Sequence, residues 1–395
     1  MIRRPLLLRM YDAATMQRWN DKLRPVEFVE LDKQAHKAII AYVLGRFEID
    51  AGNVIDWTSI IEGCLFEFFQ RLTITDLKPD LLYSIKGNKK KYLQFNRWVV
   101  NQMENYVLPL NEELFLRFKN YLLSDEEDLN KKIINAAHYY ATRWEFDIIA
   151  RANPNGFEIR DIRKTIDADL ERYGDLHGMQ QLALHEKYRH FLDLCGELRF
   201  QIRWSHMHRE PKTSVLGHML IVAILSYFFS LDIGACPLRQ YNNYYTGLFH
   251  DLPEVLTKDV VAHVKQSTKG IDSLIKQFES REVNRRIIPL IPPAWHDSIR
   301  MYTEDEFSDI VTVSGQVRQS DTEEISKKYN HDRNNPRDGS IVEACDKLAA
   351  FMEAYLASKN GIQNEQFDIA MMSIRTQYMN KRIGNTRLWD VYADF

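Results

Sequence analysis

The strongest constraint on the fold is the recurrence of apolar residues at three- and four-residue steps over long segments. This spacing places apolar side chains on one face of an α-helix. It is clearest in residues 32–47 (DKQAHKAIIAYVLGRF), 215–231 (VLGHMLIVAILSYFFSL) and 342–357 (VEACDKLAAFMEAYLA). Alternating runs bounded by turn residues, the pattern of a half-buried strand, are scarce. The sequence therefore predicts an all-α fold.

The composition fits a globular protein with more than one domain. The chain has 395 residues, of which 45% are apolar and 27% are charged, and a domain usually spans about 100 to 200 residues. Lysine and arginine (52) nearly balance aspartate and glutamate (55), which gives a formal net charge of −3. The electrostatic attraction of a general nucleic-acid binder is therefore missing, and we expect no stable nucleic-acid partner.

Export and membrane insertion are not expected either. The longest apolar stretch, residues 219–231, is shorter than the roughly 20 residues that cross a bilayer. The amino terminus lacks the long apolar core and cleavage site of a secretory signal. The cysteines form no CxxC pair, which argues against a disulfide framework and a thiolate zinc site. We expect a cytoplasmic protein with reduced thiols at Cys64, Cys195, Cys236 and Cys345.

One long polar segment interrupts the helical pattern. Residues 314–340 read SGQVRQSDTEEISKKYNHDRNNPRDGS and contain almost no apolar side chains. A segment of this composition has little to bury, so it usually runs over the surface. We expect a long, mobile surface loop.

The two halves of the chain share short sequences in the same order. The pair Arg18-Trp19 followed by His36 resembles Arg203-Trp204 followed by His218. Chance similarity between amphipathic helices is the alternative explanation for any single match. Several matches in one order favour an internal duplication.

Two longer segments align without a gap and define the extent of this repeat. They pair CLFEFFQRLTITDL with GLFHDLPEVLTKDV, at residues 64–77 and 247–260, and AAHYYATRWE with ACDKLAAFME, at residues 136–145 and 344–353. The second copy would carry the long polar segment as an insertion. We predict two tandem helical units, residues 1–185 and 186–395.

Three His-Asp dipeptides lie in the second half, and one of them stands out. His250-Asp251 ends an aromatic, apolar run (YYTGLF) that predicts burial. A buried carboxylate without a partner is costly, and a bound cation would remove that cost. His296-Asp297 follows two prolines and His331-Asp332 lies in the polar segment, so we interpret both as turn or capping residues.

Further potential ligands lie in apolar helical segments. Two imidazoles and two carboxylates, from His218, His250-Asp251 and Asp346, suit one divalent ion such as manganese, cobalt, zinc, iron or magnesium. Glu254 follows Asp251 by three residues, so it would share a helical face with the site and could move protons. Taken singly, His218 would more often be a hydrogen-bonded core histidine and Asp346 a paired buried carboxylate.

The order of these residues resembles the HD-domain phosphohydrolase superfamily, whose all-helical metal enzymes carry H…HD…D ligands. Within it, the segments RWSHMHREPKTSVLGHMLIVA, GLFHDLPEVLTKDVVAHVK and EACDKLAAFMEA resemble those of bacterial 5′-deoxynucleotidases. Those enzymes remove phosphate from deoxyribonucleoside monophosphates. The resemblance covers most of the second half of the chain.

The resemblance implies a role for each matching residue. Glu254 would be the catalytic acid or base, and Asp259 would lie near the sugar and the attacking water. Arg203 would hold the phosphate and Trp204 would pack on the sugar. One divalent metal ion would be held by His218, His250, Asp251 and Asp346.

Some positions depart from the family pattern or allow a plainer interpretation. Gly217 and Met219 flank His218 where similar enzymes have Glu and Ser, and Lys258 replaces a glycine before Asp259. These changes concern substrate preference more than metal binding. Without the motif, Arg203 would be a surface arginine paired with a carboxylate such as Glu197, Trp204 a core aromatic residue and Asp259 a helix cap.

The sequence thus predicts a metal-dependent phosphohydrolase that releases phosphate from small (deoxy)nucleoside monophosphates. One alternative within the superfamily is a nucleoside triphosphate hydrolase or a phosphodiesterase. Another is a nucleotide-sensing or scaffold protein that keeps the metal site without turnover.

The first half lacks the chemistry of the second. In the alignment Glu67 and Phe68 replace His250-Asp251, Arg71 replaces Glu254, and His138 replaces Asp346. Phenylalanine cannot ligate a metal, and arginine cannot accept a proton at neutral pH. Since similar one-domain enzymes are dimers, we expect the first half to be a degenerate copy that forms an intramolecular pseudo-dimer, with further homo-oligomers open.

Overall fold

The computed structural model describes residues 2–75, 77, 79–258 and 270–395. It is 70% helical and 6% strand, so the prediction of an all-α fold is confirmed. The chain divides into two compact units, Met1–Leu184 and His185–Phe395. All four cysteines are free thiols, as expected.

The first unit is built from nine helices within its described residues. Helices α2 and α3 both pack on α7, and α2 also packs on α9. The helices are α1 (Arg4–Tyr11), α2 (Glu30–Asp50), α3 (Trp57–Ile74), α4 (Pro79–Lys86), α5 (Lys89–Val107), α6 (Glu112–Leu123), α7 (Leu129–Ala152), α8 (Ile159–Glu171) and α9 (His177–Leu184). A two-stranded ribbon, β1 (Gln17–Arg18) and β2 (Phe28–Val29), precedes α2.

Side chains at the helix starts explain where several of these helices begin. The carboxylate of Asp56 accepts a hydrogen bond from the backbone of α3, and Asn111 and Asp128 do the same for α6 and α7. Such caps satisfy amide groups that have no partner inside the helix. The start of α7 fixes the position of His138 on this helix, the residue that the sequence alignment matches with Asp346.

The second unit is built around α11, which packs on α12 and α17. Its helices are α10 (Glu186–Glu197), α11 (Val215–Asp232), α12 (Pro237–Phe249), α13 (Glu254–Thr257), α14 (Ile271–Glu282), α15 (His296–Thr303), α16 (Thr322–Glu324), α17 (Gly339–Lys359), α18 (Glu365–Tyr378) and α19 (Leu388–Ala393). Its strands are β3 (Asp309–Val313), β4 (Gln316–Gln319), β5 (Arg337–Asp338), β6 (Arg382–Ile383) and β7 (Thr386–Arg387).

Helix α11 is long and apolar enough to cross a membrane by length and composition, but 89% of it is buried in the protein. A helix buried to this extent lies in the core of the protein. Where α12 crosses it, a Cβ atom on Gly247 would lie 2.8 Å from the Ala223 Cα. The glycine therefore lets the two backbones approach closely.

The polar segment 314–340 differs from the expected mobile loop. Strand β3 pairs antiparallel with both β4 and β5, and Ile325 is fully buried. The buried guanidinium of Arg239 on α12 donates to both carboxylate oxygens of Asp338, at 2.7 and 2.6 Å. The segment is thus anchored by buried polar contacts, which a count of apolar residues does not detect.

Candidate metal centre

His218 lies in the first turn of α11 and is fully buried. The Ser214 hydroxyl caps this turn by accepting from the Gly217 amide at 2.9 Å. The two ring nitrogens of His218 face different carboxylates: Nδ1 is 3.2 Å from Glu353 Oε1, and Nε2 is 3.0 Å from Asp346 Oδ1. With Nδ1 donating to Glu353, Nε2 presents a lone pair beside Asp346.

His250 follows the last residue of α12 and is also buried. Its Nδ1 lies 2.9 Å from the Gly247 carbonyl oxygen and donates to it, which leaves Nε2 facing the site. Among the described residues this buried Nε2 has no partner with hydrogen-bond geometry, although Asp251 Oδ2 lies 3.2 Å away. The nitrogen can bind a proton or, once deprotonated, a metal ion.

Helix α17 brings the last predicted ligand, Asp346, to the same place. One oxygen contacts His218, and the other accepts from Lys347 at 2.8 Å. One donor atom each from His218, His250 and Asp346 lie within 4.8 Å of one another. Asp251 Oδ2 lies 3.8 Å from His218 Nε2 and 3.2 Å from His250 Nε2, so the structure groups three of the four predicted ligands and places the fourth beside both histidines.

This donor set fits a divalent ion. Two imidazole nitrogens and two carboxylates are ligands that borderline and hard divalent metals share, and the His250 Nε2, once deprotonated, supplies a lone pair. Each histidine donates its other N–H to a protein oxygen, the arrangement that orients metal-bound imidazoles.

The electrostatics of the site also favour a cation. Burial alone would lower the pKa of His250, but the Asp251 and Asp346 carboxylates outweigh it and raise that pKa to about 9. Burial would raise the pKa of Asp346, yet Lys347 and His218 lower it well below its usual range. Ionised carboxylates at buried positions create a negative potential that attracts a divalent ion.

Glu353 on α17 is the main residue that the predicted site set omits. It is fully buried, and besides His218 it accepts from Arg203 Nε at 3.2 Å and from Trp204 Nε1 at 2.8 Å. Burial would raise its pKa, but Arg203 and then His218 outweigh it and lower that pKa to about 2. The carboxylate therefore holds a metal-ligand candidate and the predicted substrate-binding pair together.

Arg203 and Trp204 both lie beside the ligands. Arg203 Nη1 is 3.5 Å from Asp251 Oδ2, so its guanidinium spans from Glu353 to the metal-ligand cluster. The Trp204 ring packs edge-on against Phe367, with 5.5 Å between ring centroids. Trp204 has a φ of 58°, a left-handed conformation that a bulky residue adopts at a cost.

Of the two predicted catalytic acids, Glu254 lies within the described residues and Asp259 does not. Glu254 is buried at the start of α13, three residues after Asp251, and its amide donates to the Asp251 carbonyl at 3.0 Å. Its carbonyl accepts from Gln201 Nε2 at 3.0 Å. Asp259 lies outside the described residues, and its role stays a prediction.

The first unit repeats part of this arrangement. Arg18 Nε and Trp19 Nε1 both donate to Glu145 Oε2 at 2.9 Å, as the second pair does to Glu353. Trp19 has a φ of 56°. The amide of Glu30 donates to Met16 O at 2.9 Å, as the amide 185 residues later donates to Gln201 O at 2.8 Å.

The predicted match of His36 with His218 does not agree with these contacts. Lys33 lies 185 residues before His218 and occupies the corresponding place, with Nζ 2.5 Å from His138 Nδ1. The His36 ring instead packs edge-on against Trp144 at 5.1 Å. Lys33 and His36 are three residues apart on α2, nearly one helical turn. Hydrophobic periodicity alone therefore could not show which of them matches His218.

Comparison with known proteins gives one family match. Residues 195–375 match the family model described as HD domain, and this segment contains every predicted site residue. HD domains form a superfamily of metal-dependent phosphohydrolases. The prediction of an HD-superfamily domain in the second half is confirmed, while the 5′-deoxynucleotidase branch and the degenerate first copy stay predictions. No curated protein matches the chain.

Proposed function

We propose that the second unit hydrolyses the phosphate ester of (deoxy)nucleoside monophosphates with the help of one divalent ion. The observation that carries this proposal is the convergence of His218, His250 and Asp346 within 4.8 Å, with the Arg203 guanidinium 3.5 Å from Asp251. A cation site beside an arginine suits a phosphate monoester. We further propose that the enzyme is cytoplasmic and that its partners are small nucleotides.

The chain's own residues would divide the work in the following way. His218, His250, Asp251 and Asp346 would hold the ion, which supplies Lewis-acid chemistry at the phosphate when bound. Arg203 would bind phosphate oxygens through its guanidinium, which Glu353 orients at Nε. Trp204, whose indole N–H is held by Glu353, would offer its ring to the sugar.

Proton transfer is assigned to Glu254. The residue is buried one helical turn after Asp251, and burial keeps a carboxylate out of water, where it transfers protons to substrate more effectively. Asp259 would lie near the sugar and the attacking water, as the family resemblance implies. Neither role requires a further cofactor.

Replacing Glu254 with glutamine tests this assignment. We expect kcat for phosphate release to fall by about 10²- to 10⁴-fold, because the amide cannot carry the proton, while bound metal stays unchanged. The measurement is phosphate release from deoxynucleoside monophosphates, combined with metal analysis. Glu323→Gln, at an exposed position paired with Lys327, is the control, and an E254Q variant with the wild-type rate would refute the role.

Two alternatives remain distinguishable by product and rate. A triphosphate hydrolase or phosphodiesterase would release triphosphate or linear nucleotide from substrates that the monophosphatase ignores. A nucleotide-sensing or scaffold protein would bind metal and nucleotide without releasing phosphate above the E254Q background. The buried Glu254 favours an enzyme, since a binding site has less need of a proton carrier.

We also propose that the first unit is a degenerate copy that replaces the second subunit of a dimer. The spacing of 185 residues is the same between the two Arg-Trp pairs and between the two matched backbone contacts, and each pair donates to a glutamate later in its unit, which supports the duplication. We expect residues 186–395, expressed alone, to self-associate or to lose activity. Light scattering and phosphate release test this, and a stable, fully active monomer would contradict it.

A further inference from the structure

The first unit contains a cavity of about 1010 Å³ lined by its own residues. Pockets for small molecules usually measure roughly 300 to 1,000 Å³, so a nucleotide-sized ligand fits. Arg18 and Trp19 line this cavity. They are the pair held by Glu145, as Arg203 and Trp204 are held beside the metal centre.

Two lysines lie behind cavity-lining residues of the first unit. Lys33 Nζ is 2.5 Å from Nδ1 of His138, and Lys37 Nζ is 3.0 Å from Oε2 of Glu67, and both His138 and Glu67 line the cavity. Both lysines are fully buried, and burial lowers the pKa of Lys33 well below its usual range. The Lys37 ammonium would repel a divalent ion at close range, so the first unit is not suited to bind one.

Two arginines bring positive charge to the lining of the cavity. Arg18 Nη1 is 2.8 Å from Glu30 Oε2, and Arg71 Nη2 is 3.4 Å from the same oxygen. The side chains of Arg18 and Arg71 are 15% and 20% exposed, and both line the cavity. A single carboxylate is thus shared by two guanidinium groups, each of which has donors left for an anion.

The titratable groups that line the cavity sense positive charge around them. Burial and then Lys33 and Lys37 lower the pKa of His138 well below its usual range. Burial raises the pKa of Glu67, but Lys37 outweighs it and lowers that pKa. Together with the Arg18 and Arg71 guanidinium groups that line the cavity, this charge favours an anionic ligand.

The wall contributed by α4 to α7 adds lysines and tyrosine rings. Lys86 Nζ lies 5.8 Å from the Tyr92 ring centroid, and Lys131 Nζ lies 5.1 Å from that of Tyr121. Among the described residues no carboxylate lies within ion-pair distance of Lys86. Lysines at a cavity mouth bind phosphate, and tyrosine rings offer faces on which a base can stack.

The opposite wall supplies hydrogen-bond acceptors. Asp161 and Asp169 line the cavity from α8, and Glu158 is neutralised by Lys22 at 2.8 Å. Carboxylates of this kind suit hydroxyl and amino donors rather than a second phosphate. The cavity therefore matches a ligand with an anionic end and a donor-rich end.

We infer that this cavity binds a nucleoside monophosphate without hydrolysing it, with the phosphate against Arg18, Arg71 and Lys86 and the nucleoside toward α8. The sequence alignment matches Arg71 with Glu254, and an arginine cannot accept a proton at neutral pH. The binding needs no metal. It is independent of catalysis in the second unit.

The test uses the full chain with Asp251→Ala and a chelator, so that the second unit holds no metal and releases no phosphate. Calorimetric titration with deoxyadenosine monophosphate should give one saturable site, and deoxyadenosine without phosphate should bind at least about tenfold more weakly. In this background Lys86→Ala should raise Kd several-fold and Arg71→Ala at least about tenfold. Lys90→Ala, an exposed neighbour that does not line the cavity, should leave Kd unchanged.

Because Lys86 is exposed, its replacement does not disturb the core even if Arg71→Ala unfolds the unit. The inference is overturned if the Asp251→Ala chain shows no saturable binding, if Lys86→Ala and Lys90→Ala bind equally well, or if the nucleoside binds as tightly as the nucleotide. None of these outcomes depends on phosphate release. A failure here is therefore separate from a failure of the proposed hydrolase.

Discussion

The variant Asp251→Ala should lose both the divalent ion and the phosphohydrolase activity. Its carboxylate lies between the two imidazoles, 3.2 Å from His250 Nε2 and 3.8 Å from His218 Nε2. It also holds Arg203 at 3.5 Å. One substitution therefore removes a ligand, reduces the negative potential and frees the phosphate-binding guanidinium. We expect kcat/KM to fall by about 10³-fold or more, measured by phosphate release alongside metal analysis.

The chain supplies a matched control for this experiment. Asp297 follows His296 in the same two-residue sequence, but its side chain is fully exposed at the start of α15. Asp297→Ala should keep the metal content and rate of the wild type. If Asp251→Ala retained its ion and its rate, the four-ligand centre would be wrong.

The second large effect is expected from Glu353→Gln. The carboxylate accepts from His218, Arg203 and Trp204, and an amide cannot satisfy three donors or balance the buried guanidinium. Breaking a buried ion pair on one side costs about 3 to 5 kcal/mol. Loss of a group that orients a metal-bound histidine typically lowers metal affinity by about 10- to 100-fold. Urea unfolding and metal titration measure the two effects.

The pH dependence separates a charge effect from a packing effect. The folded-state pKa of Glu353 is lowered to about 2 from an ordinary value of 4.5. The carboxylate therefore stabilises the fold above about pH 4.5, and this contribution is lost as the pH falls toward 2. In Glu353→Gln this part of the acid profile should disappear. Glu343→Gln on the same helix is the control, and equal acid profiles for both variants would contradict a charged Glu353.

The helical fold was predictable because the apolar residues on the buried face of a helix recur every three or four positions in the sequence. Helices α2, α11 and α17 each bury most of their residues, and their apolar side chains recur at helical spacing. The four candidate ligands could be proposed from the sequence because His250-Asp251 and its flanking residues form a family motif. Nothing in helical periodicity alone would have selected them.

Other features were not predictable because their signals are short or shared. Glu353 is one charge in an apolar helix, which usually indicates an exposed face; the signal was its match with Glu145 at the end of the aligned segments. Lys33 and His36 lie on one helix, and only the matched backbone contacts of the two units show that Lys33 corresponds to His218. Strands β3 and β4 are short and lie partly within a polar segment, where composition favoured a loop.

The pair Arg239 and Asp338 has a consequence for metal choice. It joins the first turn of α12 to the residue before α17, with Asn243 bonded to Asp338 as well. His250 follows α12 and Asp346 lies on α17, so this buried ion pair holds the two ligand-bearing elements together whether or not an ion is bound. Ions should then be selected by their radius, because the protein does not contract around a smaller one.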